Sequence, residues 1–145
     1  MEKYEKKVIR RVISQETAEE TALLLESVVK HGSGNRAQIP GYRVAGKTGT
    51  AQKPVGGAYG TERVASFLGF SPVENPRVAA LVILDEPQGP VKYGGVIAAP
   101  VFAAVVRDTL YYLGVPPETS QEQSTGPQGR AREETTLRSV PNLLR

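Results

Sequence analysis

Tyr42-Arg-Val-Ala-Gly-Lys-Thr-Gly-Thr-Ala-Gln52 decides the reading of this 145-residue chain. Its centre, Lys47-Thr48-Gly49-Thr50, puts a cation, two hydroxyls and a position without a side chain on an expected β-strand. Lys47 is a point charge with three donors; it attracts an acidic substrate end and helps proton transfer near a serine. Thr48 and Thr50 can donate to a carboxylate, and Gly49 lets another backbone come close. The Thr50 N–H suits a developing oxyanion, where one donor is worth roughly 2.7–4 kcal/mol of barrier in serine hydrolases. Strict alternation puts Lys47 and Thr50 on opposite faces. Both can address one groove only if the strand is twisted, bulged or at a sheet edge. The competing reading is a plain edge strand with a solvated lysine.

K-T-G on a strand belongs with two other motifs, S-x-x-K and S-x-N, in serine acyl-transfer sites. Ser27-Val-Val-Lys30 and Ser33-Gly34-Asn35 match those letters. Ser27 falls late in an expected helix, whose negative end disfavours an oxyanion. Ser33-Gly34-Asn35 has the composition of a helix stop and turn. Both matches are read as structural, and the chain looks like one wall of an acyl-transfer site without its nucleophile.

Outward from the motif, Ser14 reads as a helix N-cap, with Glu16, Glu19 and Glu20 in the first two turns. Ala18, Ala22, Leu25 and Val29 share one helical face. Lys30 and His31 sit in the last turn, and Gly32 or Gly34 stops the helix. Downstream, Arg63–Phe70 and Arg77–Leu84 read as two strands of an antiparallel hairpin around the turn cluster Ser71–Pro76. The second strand is apolar on both faces and reads as central. A last helix is expected from Pro100 to Leu113, with Gly114, Pro116 and Pro117 at its end.

The order helix, loop, K-T-G-T strand, hairpin, helix, with Val-Ile-Ser-Gln-Glu-Thr-Ala18, Gly41-Tyr-Arg-Val-Ala-Gly-Lys-Thr-Gly-Thr-Ala-Gln-Lys53 and Ser66-Phe-Leu-Gly-Phe-Ser-Pro72, resembles the C-terminal part of a class B penicillin-binding protein transpeptidase domain. The likeness runs from about Val8 to Pro117 and looks nearest to division or sporulation transpeptidases. It implies an α+β, serine β-lactamase-like fold: an antiparallel sheet flanked by helices, of which this chain supplies about three strands. It implies that Lys47 and Thr50 are catalytic, Thr50 through its amide. Thr48, Gly49 and Gln52 would hold a D-Ala-D-Ala stem peptide or a β-lactam. The family's S-x-x-K and S-x-N lie far upstream of K-T-G. The missing N-terminal part of the domain is therefore an implied partner, and apolar surface near Val78–Leu84 is expected to stand uncovered. Lys53–Thr61 would be a mobile rim. A β-lactamase relative shares K-T-G, but the run through Ala51-Gln52 argues against it. A non-catalytic module that binds peptide or a partner by strand addition is the alternative of a different class.

Composition narrows the rest. With no Cys and one His, His31, metal and thiol chemistry have no support, and no cofactor is expected. Gly46-Lys47-Thr48 lacks the upstream glycine of a phosphate loop. The net charge of +3 is small, and its cluster at Lys3, Lys6, Lys7, Arg10 and Arg11 lacks the aromatic pattern of a nucleic-acid site. Val96–Val106, broken by Pro100, is too short to span a bilayer. Residues 1–117 are expected to form the transpeptidase portion. Residues 118–145 read as a disordered linker, ending in a stretch, Ser139–Leu144, that resembles the start of a PASTA repeat. Family members act outside the cytoplasmic membrane, tethered by an N-terminal helix. Without a visible signal or anchor, this chain is expected to be cut from a longer protein, or cytoplasmic if it is a product in its own right.

Overall fold

The structure, a computed structural model, describes residues 8–118. Helix α1 spans Gln15–His31, and strands β1 (Ala45–Val55), β2 (Ala58–Ser71) and β3 (Val78–Asp85) follow. A short helix α2 (Gly94–Ile97) runs into α3 (Ala99–Tyr112). The strands form one antiparallel sheet in the order β1-β2-β3. The fold is α+β, as expected. The linker and the PASTA-like stretch lie outside the described residues, apart from Glu118, as do Lys3, Lys6 and Lys7; Arg10 and Arg11 are exposed.

Local chemistry explains the element ends. Ser14 Oγ accepts the N–H of Thr17 at 3.0 Å and caps α1. At the other end Gly32 and Gly34 both donate to the Val28 carbonyl, at 3.0 and 3.1 Å. Gly114, at φ +64°, closes α3 in a left-handed conformation. Pro100 occupies the first turn of α3, where its missing N–H costs nothing.

The core lies between one face of the sheet and α3. Phe67 on β2 and Phe102 on α3 are fully buried, with ring centroids 4.8 Å apart and planes tilted by 55°. Val29, Ile39, Val44, Val106 and Leu110 complete it. Two contacts tie the end of the described chain to the root of β1. Tyr42 Oη donates to the Val115 carbonyl at 2.7 Å, and the Glu118 N–H to the Gly41 carbonyl at 2.7 Å.

Three features add to or differ from the sequence reading. Lys53–Thr61 is no rim loop: both strands carry on to a two-residue turn, Gly56-Gly57, at φ +59° and +88°. Those angles give the primed turn that matches strand twist. β3, expected to be central, stands at the edge of the three described strands. Val78, Ala80, Val82 and Leu84 are half-buried towards α3, whereas Ala79, Leu81 and Ile83 are exposed. Apolarity on both faces signals burial on both faces, but here one face has no cover among the described residues. Finally, α2 was hidden in a Gly-Gly stretch whose propensity disfavours helix.

Candidate functional site

The register fixes which way each group on β1 points. Lys47 pairs with Leu68 and Gly49 with Ser66 across β2, while Thr48 pairs with Phe67 and Thr50 with Ala65. Phe67 and Ala65 are fully buried. The two threonine side chains therefore share the α3 face, and Lys47 and Gly49 the other, as alternation requires.

The sheet edge reunites them. Lys47 Nζ curls round β1 and donates to the Thr48 carbonyl at 3.0 Å and to Thr48 Oγ1 at 3.4 Å. That carbonyl points away from β2. Residues two apart on a strand turn their backbone groups to the same side. The Thr50 N–H therefore also points out of the edge that β1 leaves open among the described residues. Lysine, two hydroxyls and an outward amide line one rail.

The protein occupies the acceptor side of both hydroxyls. Thr50 Oγ1 accepts the backbone N–H of Gly94 at 3.1 Å. Thr48 Oγ1 receives Lys47 Nζ and shares a 3.0 Å hydrogen bond with Ser33 Oγ. The Thr50 hydroxyl hydrogen is left free to donate outward. Close packing makes this possible. A Cβ at Gly94 would collide with the backbone of Gly49 and Ser66, and one at Gly95 with the Ser33 carbonyl. Gln52 lies further along β1, its amide nitrogen bound to the Gly60 carbonyl at 3.2 Å.

Ser33 and Gly94 are the residues that sequence reasoning missed. Ser33 has the composition of a turn, yet its hydroxyl reaches Thr48. The Gly94-Gly95 doublet ahead of a helix was the available signal, since paired glycines mark a close backbone approach. Ser27 is exposed late in α1. Its motif partner Lys30 is engaged by Glu26 at 2.9 Å.

Behind the rail, Glu26 is buried and clamped by Arg43, which donates through Nε at 2.8 Å and Nη2 at 2.7 Å. The Arg43 hydrogen bonds outweigh burial and hold the Glu26 carboxyl at about 2, against an ordinary 4.5. The same pairing raises the Arg43 pKa. The clamp fixes α1 to the residue that leads into β1. Across the hairpin, Lys53 meets Asp85 at 3.0 Å and Glu86 at 2.7 Å, all of them solvent-accessible.

A groove of about 630 Å³ runs between α1 and the β2–β3 turn, lined by Ala18, Leu25, Phe70, Val73 and Pro76, and includes none of the residues Lys47–Gln52. Its surface is mostly apolar, with Glu19, Arg43 and Glu74 as its charged members, and Arg43 is already engaged by Glu26, so the rail remains the candidate site. Among the described residues no three His, Cys, Asp or Glu side chains gather as for a metal. No described helix is long and apolar enough to cross a membrane.

Residues 2–107 match the family model for the penicillin binding protein transpeptidase domain. The chain is 44% identical over 113 residues to stage V sporulation protein D of Bacillus subtilis, covering 77% of this chain and 18% of that protein. It is 38% identical over 117 residues to the peptidoglycan D,D-transpeptidase FtsI of Buchnera aphidicola, covering 79% of this chain and 19% of that protein. Among solved structures, the transpeptidase domain of Burkholderia pseudomallei penicillin-binding protein 3 superposes with a TM-score of 0.70 at 47% identity, over 76% of this chain and 34% of that one. The chain thus spans about a fifth of these full-length relatives and a third of that solved domain.

Proposed function

Because this chain belongs to the penicillin-binding protein transpeptidase family, we propose that the open edge of β1 is the substrate rail of a serine D,D-transpeptidase. That enzyme cross-links peptidoglycan stem peptides ending in D-Ala-D-Ala and is acylated by β-lactams. Lys47 supplies the cation beside the reacting serine, and the Thr50 N–H one donor of the oxyanion hole. Thr48 and Thr50 donate to the substrate carboxylate. Gly49 gives the peptide backbone access, and Gln52 extends the strand contact.

The observation that carries this reading is the convergence of Lys47 Nζ, the Thr48 hydroxyl and the outward Thr50 amide on one edge. The nucleophile belongs to a part of the domain outside the described residues. The place of Ser27 at the negative end of α1 and the engagement of Lys30 argue against Ser27 in that role. Losing a nucleophile costs on the order of 10⁶ in rate in serine enzymes, so the 145-residue chain alone turns over no substrate. The enzyme of which it forms part works outside the cytoplasmic membrane, where peptidoglycan is.

Amide-resolved NMR titration with an N-acyl-D-Ala-D-Ala peptide tests the rail. Shifts are expected at Lys47–Gln52, weakened about tenfold in Thr50→Val through loss of a donor to a charged group. A titration that moves residues elsewhere and leaves β1 untouched would refute it. Mass spectrometry after incubation with a fluorescent penicillin should find no adduct, and one at Ser27 would reverse the assignment of the nucleophile.

A further inference from the structure

We propose that Ser33 is a positioning residue of the β1 rail: its hydroxyl turns the Thr48 O–H outward, towards the carboxylate of an acyl-D-Ala-D-Ala substrate. The inference rests on the transpeptidase reading above and adds to it what gives the first hydroxyl of the rail its direction.

A hydroxyl has one hydrogen and two acceptor sites, and a carboxylate only accepts. A threonine can therefore hold a carboxylate only when its own hydrogen is not taken up by the protein. The two threonines of the rail meet this condition by different means. Thr50 Oγ1 accepts the Gly94 N–H at 3.1 Å, and an amide N–H only donates, so that contact makes no use of the Thr50 hydrogen. At Thr48 the corresponding partner is another hydroxyl. Ser33 Oγ lies 3.0 Å from Thr48 Oγ1, and either oxygen can be the donor. If Thr48 donates, its hydrogen is taken by Ser33 and the rail shows a lone pair to an anion. If Ser33 donates, its hydrogen and the Lys47 ammonium, 3.4 Å away, occupy the acceptor sites of Thr48, and the Thr48 hydrogen is left to the substrate. An approaching carboxylate selects the second arrangement. Ser33 can adopt it without losing a partner, since among the described residues Thr48 is the one hydrogen-bond partner of its hydroxyl.

The backbone holds Ser33 in place for this task. Gly32 and Gly34, on either side of it, both donate to the Val28 carbonyl, and Gly34 is buried against the Phe67 ring. The Ser33 carbonyl lies so close to Gly95 that a Cβ there would overlap it, and the same Cβ would come within 3.2 Å of the Thr48 methyl. The turn after α1, the strand β1 and the start of α2 thus meet at Ser33 and Thr48. Ser33 is itself exposed, and Thr48 keeps Lys47 without it, so loss of the Ser33 hydroxyl strands no buried group. Orientation and stability are therefore separable.

The test is the preference of the 145-residue chain for a free carboxylate, read by amide-resolved NMR titration with an N-acyl-D-Ala-D-Ala peptide and with its C-terminal amide. Ser33→Ala is expected to weaken binding of the acid about fivefold and of the amide no more than about twofold, because a hydrogen bond to a charged acceptor is the stronger one. Its thermal melting should match that of the parent chain. Ser33→Thr keeps a hydroxyl and should restore the preference. Ser33→Cys, nearly isosteric but a weak donor, should behave as Ser33→Ala does. In a Thr48→Val background Ser33→Ala should change nothing further, since its effect passes through the Thr48 hydroxyl. Equal weakening of acid and amide overturns the proposal by showing a structural role, as does weakening that persists undiminished in the Thr48→Val background. An acid affinity indifferent to both Ser33→Ala and Ser33→Cys overturns it too; if β1 still shifts and Thr50→Val still binds less well, the rail itself stands. A parent chain in which the acid moves no residue of β1 overturns both readings.

Discussion

The two edges of one small sheet are built on opposite principles. The β1 edge is polar and internally braced: Lys47, Ser33 and Gly94 engage the groups of Thr48 and Thr50, and the clamp of Arg43 on the buried Glu26 anchors the strand's root. The β3 edge is apolar and braced only by exposed ion pairs at its end. A sheet edge with pre-set donors suits a small ligand that must be oriented. One with bare amides and the exposed Leu81 and Ile83 suits a further strand. The middle strand holds both in register through Phe67.

The largest effect should come from removing what the edges share. Phe67→Ala empties the fully buried contact with Phe102 and is expected to cost about 3–5 kcal/mol. Chemical denaturation should show it, with the peptide shifts on β1 and the exchange protection of the β2–β3 amides lost together. If one edge survives intact, the two are not coupled through β2.

Arg43→Met should cost about 3 kcal/mol, because Glu26 would stay buried with Lys30 as its sole cation. The loss should appear first at β1, in faster amide exchange at Val44–Lys47, with β3 little affected.

Acid sharpens the same contrast. The folded-state pKa of Glu26 lies below its unfolded value, so the unfolded chain binds the proton more readily and stability rises with pH through that window. The contribution is fully present above about 4.5 and disappears as pH falls towards 2. A loss on the order of 2–3 kcal/mol is expected across it, trimmed by the partial exposure of Arg43. Denaturation series between pH 5 and 2 should show this slope in the parent chain and a flatter one in Arg43→Met. The smallest effect should be that of Lys53→Ala, which breaks exposed pairs at the β3 end and should leave the melting temperature unchanged within error.

Much of this fold could be read from local chemistry. The Ser14 cap, the glycine stops of α1 and the turn cluster Ser71–Pro76 act within a few residues, and each appears where the spacing places it. The K-T-G run was legible as a strand with site-like composition, and the condition that it lie at an edge could be stated beforehand. What local reading could not supply was non-local. Ser33 meets Thr48 across 15 positions and Gly94 meets Thr50 across 44. No period or propensity encodes such meetings. The position of β3 is a different case. A strand's apolarity on both faces reports what covers it in its complete setting, and the described residues cover only the α3 side.

The bonds from Tyr42 to Val115 and from Glu118 to Gly41 have a mechanical consequence. Whatever follows residue 118 begins its path against the very residues from which the K-T-G strand springs. A pull applied at Glu118 therefore loads Gly41 through that hydrogen bond, as a sideways shear at the strand's base, as well as α3 through the backbone.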